Sequence, residues 1–92
     1  MPKTCVHIYI TGRVQGVGYR YSTFHKAVSL GITGWVKNTY DQKVEAFFEG
    51  NENAVDEMLK WCHQGPSMAF VSNIEMHRKP YKGEFTDFSI KH

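Results

Sequence analysis

From Gly12 to Arg20 the chain reads Gly-Arg-Val-Gln-Gly-Val-Gly-Tyr-Arg. Glycines at this density let consecutive backbone N–H groups turn toward one point with no Cβ in the way. The stretch follows a strand-like run and opens a helix-like one, so a helix N-terminus adds unsatisfied donors and a partial positive charge. Arg20 brings a planar fork that fits phosphate or carboxylate bidentately. Together these residues describe a cradle for a small anion. The spacing is neither G-x-x-x-x-G-K-[ST] nor a clean G-x-G-x-x-G, so the nucleoside-phosphate loops are excluded on pattern. A second stretch, Gly34-Trp35-Val36-Lys37-Asn38, closes the next apolar segment. Taken alone, Arg20 also reads as a surface ion-pair residue and Asn38 as a turn residue at a strand end.

In this order, the two stretches resemble the signatures of the acylphosphatases. Gly12-x-Val14-Gln15-Gly16-Val17-x-Tyr19-Arg20 is similar to that family's first motif, and Gly34-Trp35-Val36-Lys37-Asn38, with Val44 beyond it, to the second. The resemblance extends through Leu30-Gly31-Ile32-Thr33-Gly34 and the closing Phe85-Thr86-Asp87-Phe88-Ser89-Ile90. It implies an enzyme that hydrolyses acyl phosphates to a carboxylate and inorganic phosphate. It also implies phosphate binding by Gln15, Gly16, Val17, Gly18, Tyr19 and Arg20, with Arg20 and Asn38 catalytic. Asn38 would place the attacking water in line, and the substrate phosphate itself would accept the water's proton. No cofactor and no metal are expected, and inorganic phosphate should act as product and inhibitor.

The chemistry accounts for so sparse a site. The leaving group is a carboxylate, a weak base that departs unprotonated, so no general acid is needed. Phosphoryl transfer demands positioning and charge stabilisation more than covalent help. The Gln15–Tyr19 N–H groups and the Arg20 fork can meet the three phosphoryl oxygens, and preorganised donors are usually the largest contribution to such catalysis. An asparagine suits the water because its amide oxygen accepts from it. One position departs from the family. The hairpin after Asn38 usually carries a glycine where this chain has Gln42, and glycine there would relieve a positive-φ position.

The elements that must hold these residues follow from periodicity. Cys5 to Thr11 alternates, with Val6, Ile8 and Ile10 on one face and Cys5, His7, Tyr9 and Thr11 on the other, as a half-buried strand does. From about Tyr21 a helix begins, with Phe24, Ala27 and Val28 as its stripe and Gly31 as its stop. Ile32 to Asn38 reads as a second strand, Tyr40-Asp41-Gln42-Lys43 as a hairpin turn, and Val44 to Glu49 as a third strand. Asn53 with Asp56 approximates a capping box. Val55, Met58, Leu59 and Cys62 then form the stripe of a second helix that ends at Gly65-Pro66. Phe70 to Arg78 is a fourth strand, Lys79 to Glu84 a loop and Phe85 to Ile90 a short fifth strand. The order is β-α-β-β-α-β plus a terminal strand, an α+β ferredoxin-like split βαβ sandwich. Both helices should pack on one face of a mainly antiparallel sheet, leaving the other to solvent. Trp35 is expected to wall the sheet near the site.

The 92 residues, 41% of them hydrophobic and 22% charged, fit one soluble globular domain over 1–92. No signal peptide or membrane span is indicated, so a cytoplasmic monomer without membrane partners is expected. A net charge of +2 is far from the basic stripe of a nucleic-acid binder. RRM domains share the split βαβ plan and stack bases on aromatics of the open face, where Tyr9 and Phe47 fall. Glu45 and Glu49 flank Phe47 there and oppose a phosphate backbone, and the RNP1 pattern is missing. A domain of a larger carbamoyl-transfer machine is a further alternative, disfavoured by the chain's ending at His92. The histidines fit no metal-ligand spacing and read as surface or rim residues, and Met58 and Met68 as core or edge filler. Cys5 and Cys62 are expected to be free thiols on different sides of the sheet, Cys62 buried and Cys5 the more accessible.

Overall fold

The computed structural model describes residues 2–92; Met1, the first residue of the expected domain, lies outside them. The alternating run Lys3–Arg13 forms strand β1, and Val6, Ile8 and Ile10 are completely buried along one face. Helix α1 (Tyr19–Ser29) follows, then the hairpin of β2 (Thr33–Asn38) and β3 (Val44–Asn51). Helix α2 (Glu52–Gln64), strand β4 (Phe70–Lys79) and the three-residue strand β5 (Phe88–Ile90) complete the chain. The sheet order is β4-β1-β3-β2-β5, antiparallel except for the parallel pair β2–β5. This is the ferredoxin-like α+β sandwich read from the sequence, with β1 and β3 at its centre.

The helices cover the face that carries Val6, Ile8, Ile10, Val36, Val44, Ala46 and Phe48, and α2 contributes Val55, Met58 and Cys62 to the same core. Burying one Val, Ile or Phe side chain is worth about 1.5–3 kcal/mol, so this face supplies most of the folding energy. Tyr19 reaches across to α2, where its hydroxyl donates to the Cys62 carbonyl at 2.6 Å. A Cβ on Gly65 would meet the Tyr19 ring at 2.7 Å, so the glycine that ends α2 also makes room for that ring. No helix among the described residues is long and apolar enough to cross a membrane.

Several local readings need correction. Helix α1 starts at Tyr19, two residues before the expected point, and its buried stripe is Tyr19, Thr23 and Ala27. Val28 is 54% exposed, because a stripe started from Tyr19 turns it away from the sheet. The cap of α2 is Asn51, without a side-chain cap hydrogen bond, and not Asn53. Strand β3 continues to Asn51 because Lys3 and Thr4 pair with Asn51 and Gly50. Strand β5 begins only at Phe88. Met58 is core, whereas Met68 is exposed.

The largest correction concerns the second face of the sheet. Residues 80–87 cross it as a strap, placing the Phe85 ring against Phe47 at 5.3 Å. Glu49 lies beneath, 1% exposed, and its Oε2 accepts from the Lys82 and Gly83 N–H groups at 3.4 and 3.2 Å. Cys5, the cross-strand partner of Glu49, is therefore buried and not accessible. Both cysteines are free, as expected. Phe47 carries Phe85, so it is no open stacking platform, and Glu45 is engaged by His7 at 2.7 Å and Lys37 at 3.7 Å.

Candidate active site

At the end of β1 the chain leaves the sheet and turns through Gly16 (φ 75) and Gly18 (φ 78) before entering α1. Both φ values lie in the left-handed region, where an L side chain is disfavoured. Nothing lies within 4 Å of a Cβ built at either position, so glycine serves backbone shape here and not close packing. Among the described residues, no N–H from Gln15 to Tyr21 donates to another backbone carbonyl; the first such bond is Ser22 N to Gly18 O at 3.0 Å. The loop and the first helical turn therefore present a cluster of unsatisfied donors.

Arg20 stands in that first turn, which holds no acidic residue. A cation at the positive end of a helix dipole is worth about 0.3–1 kcal/mol in the unfavourable direction. None of the ion pairs among the described residues involves Arg20, so the surface-pair reading fails. Arg20 lines a cavity of about 270 Å³ together with Val14, Gly16, Gly18, Tyr19, Tyr21, Asn38, Ile90 and His92. No carboxylate side chain is in that lining. A positive, donor-rich and largely apolar hollow of this kind favours a small anion.

Asn38 reaches the same cavity from the far end of β2. The even-numbered residues of that strand face the helices, and Val36 on the same side is fully buried. The Asn38 Oδ1 is itself buried with no hydrogen-bond partner in the protein. Leaving a buried acceptor unmet costs about 1–3 kcal/mol, and among the described residues Glu49 Oε1 shares this condition on the other face of the sheet.

Of the residues expected to bind phosphate, Gly16, Gly18, Tyr19 and Arg20 line the cavity, while Gln15 and Val17 do not. Val17 packs against the core. The Gln15 side chain leaves the loop and donates from Nε2 to the carbonyls of Thr39 at 2.8 Å and Lys43 at 2.9 Å. Tyr19 contributes from its backbone side, since its buried hydroxyl is bound to Cys62 and burial holds that phenol well above its usual pKa. Trp35 is not near the site. It points to the opposite face, against Phe47 and His7, with Lys37 and Lys91 over its ring.

The turn after Asn38 contains the one non-glycine residue with positive φ among the described residues, Gln42 at φ 73. The family glycine thus marks a real conformational demand. Thr39 organises the turn, donating from its hydroxyl to Asp41 and accepting from Lys43 N at 3.0 Å. The bond from Thr39 holds the Asp41 carboxyl below its ordinary pKa. Sequence reasoning missed Val14, Tyr21, Ile90 and His92 as cavity walls. Ile90 arrives there through the parallel pairing of β5 with β2, in which Val36 faces Ile90, and no local pattern signals such a pairing.

The chain is similar to known proteins over nearly its whole length. The acylphosphatase family model matches residues 6–90. An acylphosphatase of Trichormus variabilis is 51% identical over 86 residues, 94% of this chain and 84% of that protein. Another, from Pelotomaculum thermopropionicum, is 42% identical over 98% of both chains. The crystal structure of acylphosphatase from Bacillus subtilis superposes with a TM-score of 0.93 at 34% identity, covering 97% of this chain and 99% of that one.

Proposed function

The chain belongs to the acylphosphatase family and is a hydrolase of acyl phosphates, and from that premise we propose how its residues perform the reaction. The phosphoryl group sits in the 15–20 loop, where backbone N–H groups and the Arg20 fork meet its three non-bridging oxygens. Asn38 accepts a hydrogen bond from a water through Oδ1 and holds it in line with the leaving carboxylate oxygen. As the water oxygen bonds to phosphorus, the P–O bond to the acyl group breaks, the acyl carboxylate leaves unprotonated, and a phosphoryl oxygen takes the water's proton. The loop and Arg20 supply positive charge, so no metal ion or cofactor enters the scheme. The enzyme works as a single-domain cytoplasmic monomer and is inhibited by inorganic phosphate.

One observation carries this reading. Arg20, which makes no ion pair among the described residues, and Asn38, whose buried amide oxygen has no hydrogen-bond partner in the protein, line one cavity at a helix N-terminus. A simple acyl phosphate, followed colorimetrically, tests it. Wild-type protein should hydrolyse the compound, and Asn38→Ala should lose about 10²–10³ in kcat while the inhibition constant of inorganic phosphate stays within about threefold. If Asn38→Ala abolishes phosphate binding with the fold intact, the water-positioning role is wrong.

A further inference from the structure

Gln15 lies in the middle of the anion-binding motif, yet its side chain serves the hairpin. A primary amide has two N–H donors, and Nε2 of Gln15 gives one to each carbonyl at the mouth of the 39–43 turn, Thr39 O and Lys43 O. Lys43 O also accepts from Thr39 N at 2.9 Å. The turn is therefore closed on itself and fastened, through one amide, to the loop that holds the phosphoryl group.

Two features make that fastening matter. The Asn38 acceptor has no protein partner, so its aim comes from the backbone on either side. Immediately beyond it, the turn carries Gln42 at φ 73, a conformation that persists only where its surroundings hold it. We propose that Gln15 is a positioning residue: by gripping both ends of the strained turn, it fixes the distance between Asn38 and the phosphoryl-binding loop. This rests on the water-positioning role of Asn38 given above.

The test compares Gln15→Met, which keeps chain length and removes both donors, with Asn38→Ala, Gln15→Met/Asn38→Ala and Gln15→Met/Gln42→Gly on one acyl phosphate. Gln15→Met should lose about 10- to 100-fold in kcat, the scale for sub-ångström misplacement of a reacting group. KM and the phosphate inhibition constant should stay within about threefold, because the anion's own donors remain. In the Asn38→Ala background the same change should cost no more than about twofold, since residues acting through one another are not additive. Gln42→Gly should return about threefold or more to Gln15→Met, a turn that needs no restraint having less to lose. The side-chain amide signal of Asn38 should move in the nitrogen-correlated NMR spectrum of Gln15→Met. If Gln15→Met does not fold, Gln15→Met/Gln42→Gly is read against Gln42→Gly, and a kcat loss reduced to about 3- to 30-fold is expected, because the glycine turn has less to lose. A wild-type kcat in Gln15→Met beside an impaired Asn38→Ala overturns this inference alone. Additive losses, or phosphate affinity falling in step with kcat, overturn it as well by placing Gln15 in the anion site. A wild-type kcat in Asn38→Ala overturns the role of Asn38 and this inference with it.

Discussion

Arg20→Ala separates catalysis from folding unusually well. The side chain makes no ion pair among the described residues and sits at the positive end of α1. Folding thus loses little with it, and relief of the dipole repulsion is worth about 0.3–1 kcal/mol. The expected change in unfolding free energy is zero to slightly stabilising. In the proposed complex with a phosphoryl group, by contrast, the fork would make two charge-assisted hydrogen bonds, each worth about 1.5–3 kcal/mol. Their sum, about 3–6 kcal/mol, corresponds to about 10²–10⁴ in kcat/KM. Phosphate affinity should fall too, because the ground-state anion uses the same fork. Arg20→Lys should recover only part, a point charge replacing a planar fork. Steady-state hydrolysis, phosphate inhibition and urea unfolding on one preparation give all three numbers. An Arg20→Ala enzyme that loses stability in proportion to activity, or keeps its phosphate affinity, would refute the reasoning.

Inorganic phosphate titrated into labelled protein should shift the amides of residues 15–20 first, and shifts centred elsewhere with a silent loop would remove the anion site from this end of the molecule. Activity should survive EDTA without loss, and a requirement for an added divalent ion would show that the loop and Arg20 do not carry the charge alone. Both thiols should resist alkylation in the native state. Burial, with Glu49 and Glu84 adding to it, pushes Cys5 up to about 11, and burial pushes Cys62 up to about 12. An unfolded thiol titrates near the ordinary value of 9.0, so above that pH the native state holds protons that the unfolded state has released. Stability should therefore fall as pH rises from about 9 toward 11–12. Rapid labelling of Cys5 at neutral pH would mean that the 80–87 strap opens readily.

The parts of the fold that local chemistry dictates were legible in the sequence. Alternation in β1 and β3 identified the buried face, and Gly31 and Gly65-Pro66 marked where both helices stop. The motifs singled out Arg20 and Asn38, which line one cavity, and the family glycine that Gln42 replaces marked a positive-φ position that the structure contains. What escaped was non-local. Cys5 alternates away from Val6 and Ile8 as expected, but burial also depends on a strap nearly the whole chain away, held by a carboxylate on β3. Trp35 shares a motif with Asn38, yet period-two geometry sends the two to opposite faces, a step available from the sequence and not taken. Gln15 shows the same limit. Its place in the glycine loop says anion, whereas its side chain answers to carbonyls of a different hairpin.

The two margins of the sheet are unequal. One ends in three-residue β5, too short to template another chain. The other is β4, ten residues with one side unpaired and with Phe70 67% and Met76 45% exposed. A strand of that length invites backbone pairing from a second molecule, the route by which sheets grow into aggregates. Its C-terminal half answers with charge. Glu75 and His77 are bonded at 2.6 Å, and Arg78 reaches Asp56 at 3.4 Å, so an incoming strand would have to desolvate fixed ionic groups. The Phe70 end has no such guard. Misassembly of this protein should therefore begin there, where β4 emerges from the turn after α2.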